Sequence, residues 1–183
     1  MKKIINPESV AEELIKDLGI TIPFTPETIC KNISSNSFIV EYLEKQFDSE
    51  KICGLSVGDN SGVKIIINSK IQPTARRLFT AAHEIGHVVL HIQTGIAIKS
   101  ECFNEDIQNN TQKDIEIEAN KFASALLMPK HLIGEKIHSN DLTWALIKNL
   151  SEHFRTSLEA CYATFKMVHL LSTATFILCH PCD

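Results

Sequence analysis

Positive charge is scarce in this 183-residue chain: 18 Lys and Arg stand against 22 Asp and Glu, for a net charge of −4 and a pI near 6.1. A chain without a positive field has little with which to hold phosphates non-specifically, so nucleic acid is a poor default partner. Long hydrophobic runs are also missing. The two lysines at the N-terminus are followed by Ile4-Ile5, but Asn6, Pro7 and Glu8 break the stretch before it resembles a secretory signal. The most apolar run, Met167 to Cys179, contains His169 and is too short to cross a bilayer. No repeat or low-complexity tract is present. The six cysteines are scattered through a chain large enough to build its own core, which excludes a disulfide scaffold and points to reduced thiols and a cytoplasmic setting.

What is present is ordinary globular material: 44% hydrophobic and 22% charged residues, enough for one domain with a real core and a small helical appendage. Val10, Leu14 and Leu18 recur at helical spacing before Gly19, which predicts an N-terminal helix over 7–18. Thr25-Pro26-Glu27 reads as a helix start, with the helix running to about Asn32. Strands are expected over 37–43 and 52–68, the second folded into a hairpin at Asp59-Asn60-Ser61-Gly62. Thr74 should cap a half-buried helix through His91, with Leu78, Ala82, Ile85 and Val89 as its apolar stripe. Residues 100–115 read as an exposed polar loop, 114–128 as a helix ended by Pro129, 141–170 as helical again, and 173–178 as a last strand. Ile177-Leu178-Cys179 looks like a strand cut short, as if the native chain ran on.

Inside the 74–91 helix stands His83-Glu84-Ile85-Gly86-His87, the HExxH pattern. Residues four apart lie one turn above each other, so two imidazoles can share one zinc ion while the intervening glutamate faces water at the open coordination position. A third ligand is needed. A histidine six residues after His87 would supply it in one class of such sites, but that position is Gln93, and His91 comes too early. The next helix offers Glu116, with Asn120 one turn on as an outer partner able to hydrogen-bond a metal-bound imidazole; Glu118, on another side of the helix, is the competing carboxylate. His91 reads as a second-layer or structural residue.

Phe79 to His91, the run Glu116-Ile117-Glu118-Ala119-Asn120-Lys121-Phe122-Ala123, and Leu126-Leu127-Met128-Pro129 together resemble the ImmA/IrrE metallopeptidases across roughly residues 50–130. One departure is Leu78, where many members carry a basic residue, although Arg76 and Arg77 are adjacent. The resemblance implies a gluzincin-type zinc site with Glu116, not Glu118, as third ligand beside His83 and His87. It further implies an endopeptidase that cuts a helix-turn-helix repressor. In that chemistry Glu84 is the general base. The expected fold is α/β (α+β): a zincin-like domain over 1–135 with a small twisted mixed or antiparallel sheet, then a helical, helix-turn-helix-like region over 136–183. The strand 64–68 is placed at the sheet edge, available to an extended substrate, and His131, His138 and Tyr162 are candidates to stabilise an oxyanion.

Other readings carry less. Leu150 to Ala160 has helix-turn-helix spacing, but the second helix, Leu158 to Met167, has Lys166 as its single basic residue and Glu159 near its start, so direct DNA binding is disfavoured against a packing or protein-docking role. Cys179-His180-Pro181-Cys182 lacks the following helix of a redox dithiol and the two further ligands of a zinc site. A metal sensor without peptidase activity is the main rival function, and the intact Glu84 argues against it.

Overall fold

The computed structural model describes residues 6–49, 51–95, 99–103, 114–137 and 143–179. Helix α1, Pro7–Asp17, starts where Asn6 Oδ1 accepts from the backbone N–H groups of Glu8 and Ser9, with proline at the first position. It ends at Gly19, whose φ of 59° lies in the left-handed region. Helix α2, Pro26–Ile33, is capped by the Thr25 hydroxyl. Three strands follow, β1 (Ile39–Lys45), β2 (Ile52–Asp59) and β3 (Gly62–Asn68), with β2 and β3 forming the expected hairpin. Its turn is closed by Asp59 Oδ1, which accepts from the Ser61 backbone N–H at 2.7 Å.

The sheet is mixed and four-stranded among the described residues, in the order β1-β3-β2-β4, with β1 parallel to β3 and the other pairs antiparallel. Two expectations change here. Residues 64–68 are not at an edge: β1 pairs along the outer side of the hairpin and makes β3 interior. The 100–115 segment is not wholly loop either, because β4, Lys99–Phe103, pairs with β2 and occupies the opposite edge; residues 104–113 lie outside the described residues. Polar composition hid this strand, whose pairing depends on a partner distant in sequence. Along β3, Val63, Ile65 and Ile67 are buried while Lys64 is exposed, so one face of the sheet packs and the other meets water.

Helix α3, Thr74–His87, lies on the packed face and contacts β2 and β3. Pro73, not Thr74, holds its N-cap position, and no side chain caps it. The helix does not run as one α-helix to His91: Val88–Ile92 form a π-helical turn. Its burial is divided along its length: Thr74 to Phe79 are exposed or half-buried, and every residue from Thr80 to Val88 is buried. The sheet covers one face and α4, Asp114–Leu127, covers the other. Gly86 allows that second contact. A Cβ there would meet Phe122 Cδ1 at 3.0 Å and the Ala119 backbone at 3.3 Å, so the absence of a side chain sets the distance between α3 and α4.

Helices α5 (Lys130–Ile137), α6 (Trp144–Phe154) and α7 (Leu158–Cys179) follow. The turn between α6 and α7 places Arg155 at φ 53° as a left-handed cap. Residues 173–178 continue α7 and are not a strand; α-helix hydrogen bonding carries on from the preceding turns, and no strand of the sheet pairs with them. Ile65, Ile67, Ile85, Phe122 and Leu126 fill the space between sheet and helices, and Ile147, Phe154 and Phe165 extend the core into the C-terminal helices. Cys30, Cys53 and Cys161 are buried.

Candidate metal centre

Three side chains converge between α3 and α4. His83 and His87, one turn apart on α3, bring their Nε2 atoms to 3.0 Å, and Glu116 Oε2 from the first turn of α4 lies 3.2 Å from one and 3.3 Å from the other. His83 and His87 are each 1% exposed, and Glu116 is 15% exposed at its side chain. The ligand atoms of a tetrahedral zinc, with bonds of about 2.0–2.1 Å, are spaced roughly 3.3 Å apart. The observed triangle fits that edge.

The hydrogen bonds behind the rings show what the triangle needs. Asn120 Oδ1 lies 2.9 Å from His83 Nδ1, and a carbonyl oxygen can only accept, so His83 carries its proton on Nδ1 and presents a lone pair at Nε2. His87 Nδ1 meets His91 Nδ1 at 3.1 Å, and His91 Nε2 in turn meets Glu118 Oε2 at 3.0 Å. The His83 lone pair and the Glu116 carboxylate oxygen then face one point beside His87 Nε2, an arrangement that is repulsive unless a cation or a proton sits there. Without a cation a ring proton takes that place: burial would raise the carboxyl pKa of Glu116, but hydrogen bonds from the His83 and His87 rings hold it well below its ordinary value. Burial would likewise lower the pKa of His83, yet the hydrogen bond to Glu116 and the charges of Glu84 and Glu116 outweigh it and raise the ring's proton affinity, while burial keeps His87 below its ordinary value. The donor set therefore fits a single zinc ion held by His83, His87 and Glu116.

Glu118, the rival carboxylate, is directed to His91 and not to the triangle. His91 is fully buried, because the π turn winds fewer degrees per residue than an α turn and keeps His91 over His87 instead of letting it drift around the helix. His131 lines a cleft with Ser9, Glu12 and Lys16, and Tyr162 lines one with Thr143, Trp144 and Ile147; neither lining includes His83, Glu84, His87 or Glu116. His138 and residues 180–183 lie outside the described residues.

Glu84 is fully buried, with its side chain against β2. Ser56 Oγ donates to Glu84 Oε2 at 2.5 Å, whereas Oε1 has no hydrogen-bond partner among the described residues. A Cβ at Gly54 would come within 3.0 Å of Oε1, so the strand is bare where this oxygen lies. Burial pushes the Glu84 carboxyl up to about 7, against the lowering pull of the His83 charge and the Ser56 hydroxyl. Ser56 and Gly54 were not singled out by sequence reasoning. The available signal was their period-two spacing: small residues sharing one face of a strand mark where another element approaches closely.

A His-Glu-x-x-His helix, a facing carboxylate from the next helix and a small mixed sheet beside them define a zincin-like metallopeptidase domain. Residues 37–166 match the model of the peptidase family described as the IrrE N-terminal-like domain, and the chain belongs to that family. No curated protein matches it. Among the described residues, no helix is long and apolar enough to cross a membrane.

Proposed function

We propose that this protein is a zinc-dependent endopeptidase in which Glu84 is the general base, and that its substrate is a regulatory protein of the helix-turn-helix repressor kind. The observation that carries the catalytic part is the state of Glu84: one carboxylate oxygen is held by Ser56 and the other is buried, unpartnered and one residue from a metal ligand. A structural site has no use for such a group, since burying an unsatisfied carboxylate is costly. Burial raises the proton affinity of this carboxylate above its ordinary range, which favours taking up a proton.

Held by His83, His87 and Glu116, a zinc ion would supply Lewis acidity to the attacking water and the scissile carbonyl. Glu84 Oε1 takes a proton from the attacking water and passes it to the leaving amine nitrogen, so the carboxylate is regenerated as the C–N bond breaks. Asn120 holds the His83 ring in the tautomer that leaves Nε2 free. A substrate main chain would pair along β4, which is an edge strand among the described residues and contacts α3.

The test combines metal analysis with proteolysis. Wild type, Glu84→Gln and Glu116→Ala are assayed for zinc by mass spectrometry, then incubated with candidate repressor proteins. Wild type should carry one zinc per chain and cut; Glu84→Gln should keep the metal and not cut; Glu116→Ala should lose both. Zinc binding with intact cleavage by Glu84→Gln would remove Glu84 from the chemistry.

A further inference from the structure

The two carboxylates of the first α4 turns divide their work. Glu116 enters the metal triangle, and Glu118, two residues on and therefore on another side of the helix, reaches His91. His91 is 0% exposed and its ring centroid lies 5.1 Å from that of His87, at an interplanar angle of 52°. The contact between these rings is nitrogen to nitrogen, Nδ1 to Nδ1, at 3.1 Å. Such a contact holds one proton, and two neutral imidazoles by themselves do not decide which ring owns it.

We propose that Glu118 and His91 form a hydrogen-bond relay that decides this, locking His87 as the Nδ1–H tautomer and so positioning its Nε2 lone pair for the metal. The steps follow from donor and acceptor chemistry. An ionised carboxylate accepts only, so His91 carries its proton on Nε2, 3.0 Å from Glu118 Oε2. A neutral imidazole has one N–H, which leaves His91 Nδ1 as an acceptor. His87 Nδ1–H then donates to it, and His87 Nε2 is bare toward Glu116 and His83. The reverse arrangement, with the shared proton on His91 Nδ1, would set the His91 Nε2 lone pair against the Glu118 carboxylate and place an N–H of His87 inside the metal triangle.

The relay also makes the two histidine ligands unequal. His83 is backed by the neutral amide of Asn120, and His87 by a chain that ends in a charge, which raises the basicity of the ring it supports. The π turn at Val88–Ile92 is the backbone feature that brings His91 under His87. His91 and Glu118 are positioning residues in this scheme; neither belongs to the three-ligand cluster.

The inference rests on the zinc reading of the site and is tested without any substrate. Zinc affinity is measured by competition with a chromophoric chelator. His91→Phe, which removes the acceptor but keeps the bulk, should weaken zinc by about 10–100-fold. His91→Asn, whose amide oxygen can accept from His87 as Asn120 accepts from His83, should recover most of that loss. Glu118→Ala is the variant that keeps the fold if His91→Phe does not, because the Glu118 side chain is 42% exposed; it should weaken zinc by about 10-fold. Ring nitrogen correlation spectra of the zinc-loaded wild type should show protonated Nδ1 on His87 and protonated Nε2 on His91. A His91 protonated at Nδ1, or unchanged zinc affinity in the folded Glu118→Ala protein, overturns the relay while the metal site stands. A wild type that binds no zinc overturns both.

Discussion

Replacing Glu84 with Gln tests the most unusual group in the molecule in a way that needs no substrate. The carboxyl is fully buried, one oxygen lacks a partner among the described residues, and burial pushes its pKa up to about 7 from an ordinary 4.5. The folded value is raised, so the contribution to stability is complete below the unfolded value and is lost as pH rises through the folded one. In the metal-free protein the loss spans pH 4.5 to about 7. A difference of that size corresponds to on the order of 3 kcal/mol. Glutamine is neutral throughout and escapes the loss, although its amide brings packing and hydrogen-bond costs that are equal at every pH. The informative quantity is therefore the double difference. Thermal melts of wild type and Glu84→Gln in chelator, at pH 5 and pH 8, should show the variant gaining about 2–3 kcal/mol relative to wild type at the higher pH. In a chain of this length that gain raises the melting temperature by roughly 5–10 °C. Equal differences at both pH values would show that Glu84 is not a strained buried carboxyl, and the argument for a poised base would fail with it.

Two further expectations concern the supports of the site. Ser56→Ala removes the hydroxyl that lowers the Glu84 pKa, so the acidic limb of the pH–activity profile on a cleaved repressor should move to higher pH, with zinc content unchanged; an unmoved limb would detach Ser56 from Glu84. Gly86→Ala would ordinarily stabilise a helix by about 1 kcal/mol. Here its Cβ meets buried Phe122 at 3.0 Å and the Ala119 backbone at 3.3 Å, which should reverse the sign. Urea unfolding should show a net loss of about 1–3 kcal/mol, accompanied by weaker zinc binding as α4 and Glu116 move off; a stabilised variant would refute the close-packing account.

Much of this protein was readable as local pattern. Asn6 before Pro7, Thr25 before Pro26 and the Asp59–Gly62 turn encode their helix starts and hairpin through side-chain-to-backbone hydrogen bonds spanning two or three residues, so no distant partner is needed to recognise them. The spacing of His83 and His87 was equally local, because a four-residue step on a helix is also a distance in space. The hydrogen bond from His83 to Asn120 was anticipated for the same reason: the Asn lies one turn from Glu116 and faces whatever Glu116 faces.

What the tertiary structure decided were matters of partners. Pairing of β1 along the hairpin turned residues 64–68 from an edge into the sheet interior, and β4 formed in a segment whose composition is that of a loop. Glu116 and Glu118 could be sorted on the residues alone only as alternatives. Their directions depend on the distance and rotation between α3 and α4, which the missing side chain of Gly86 and the bulk of Phe122 set together. Ser56 and His91 owe their places to a strand crossing beneath α3 and to one widened helical turn. A one-dimensional pattern specifies which donors a chain can offer; the packing of α3 against β2 and α4 specifies which of them meet, because it brings residues 27 to 37 positions apart within hydrogen-bond distance.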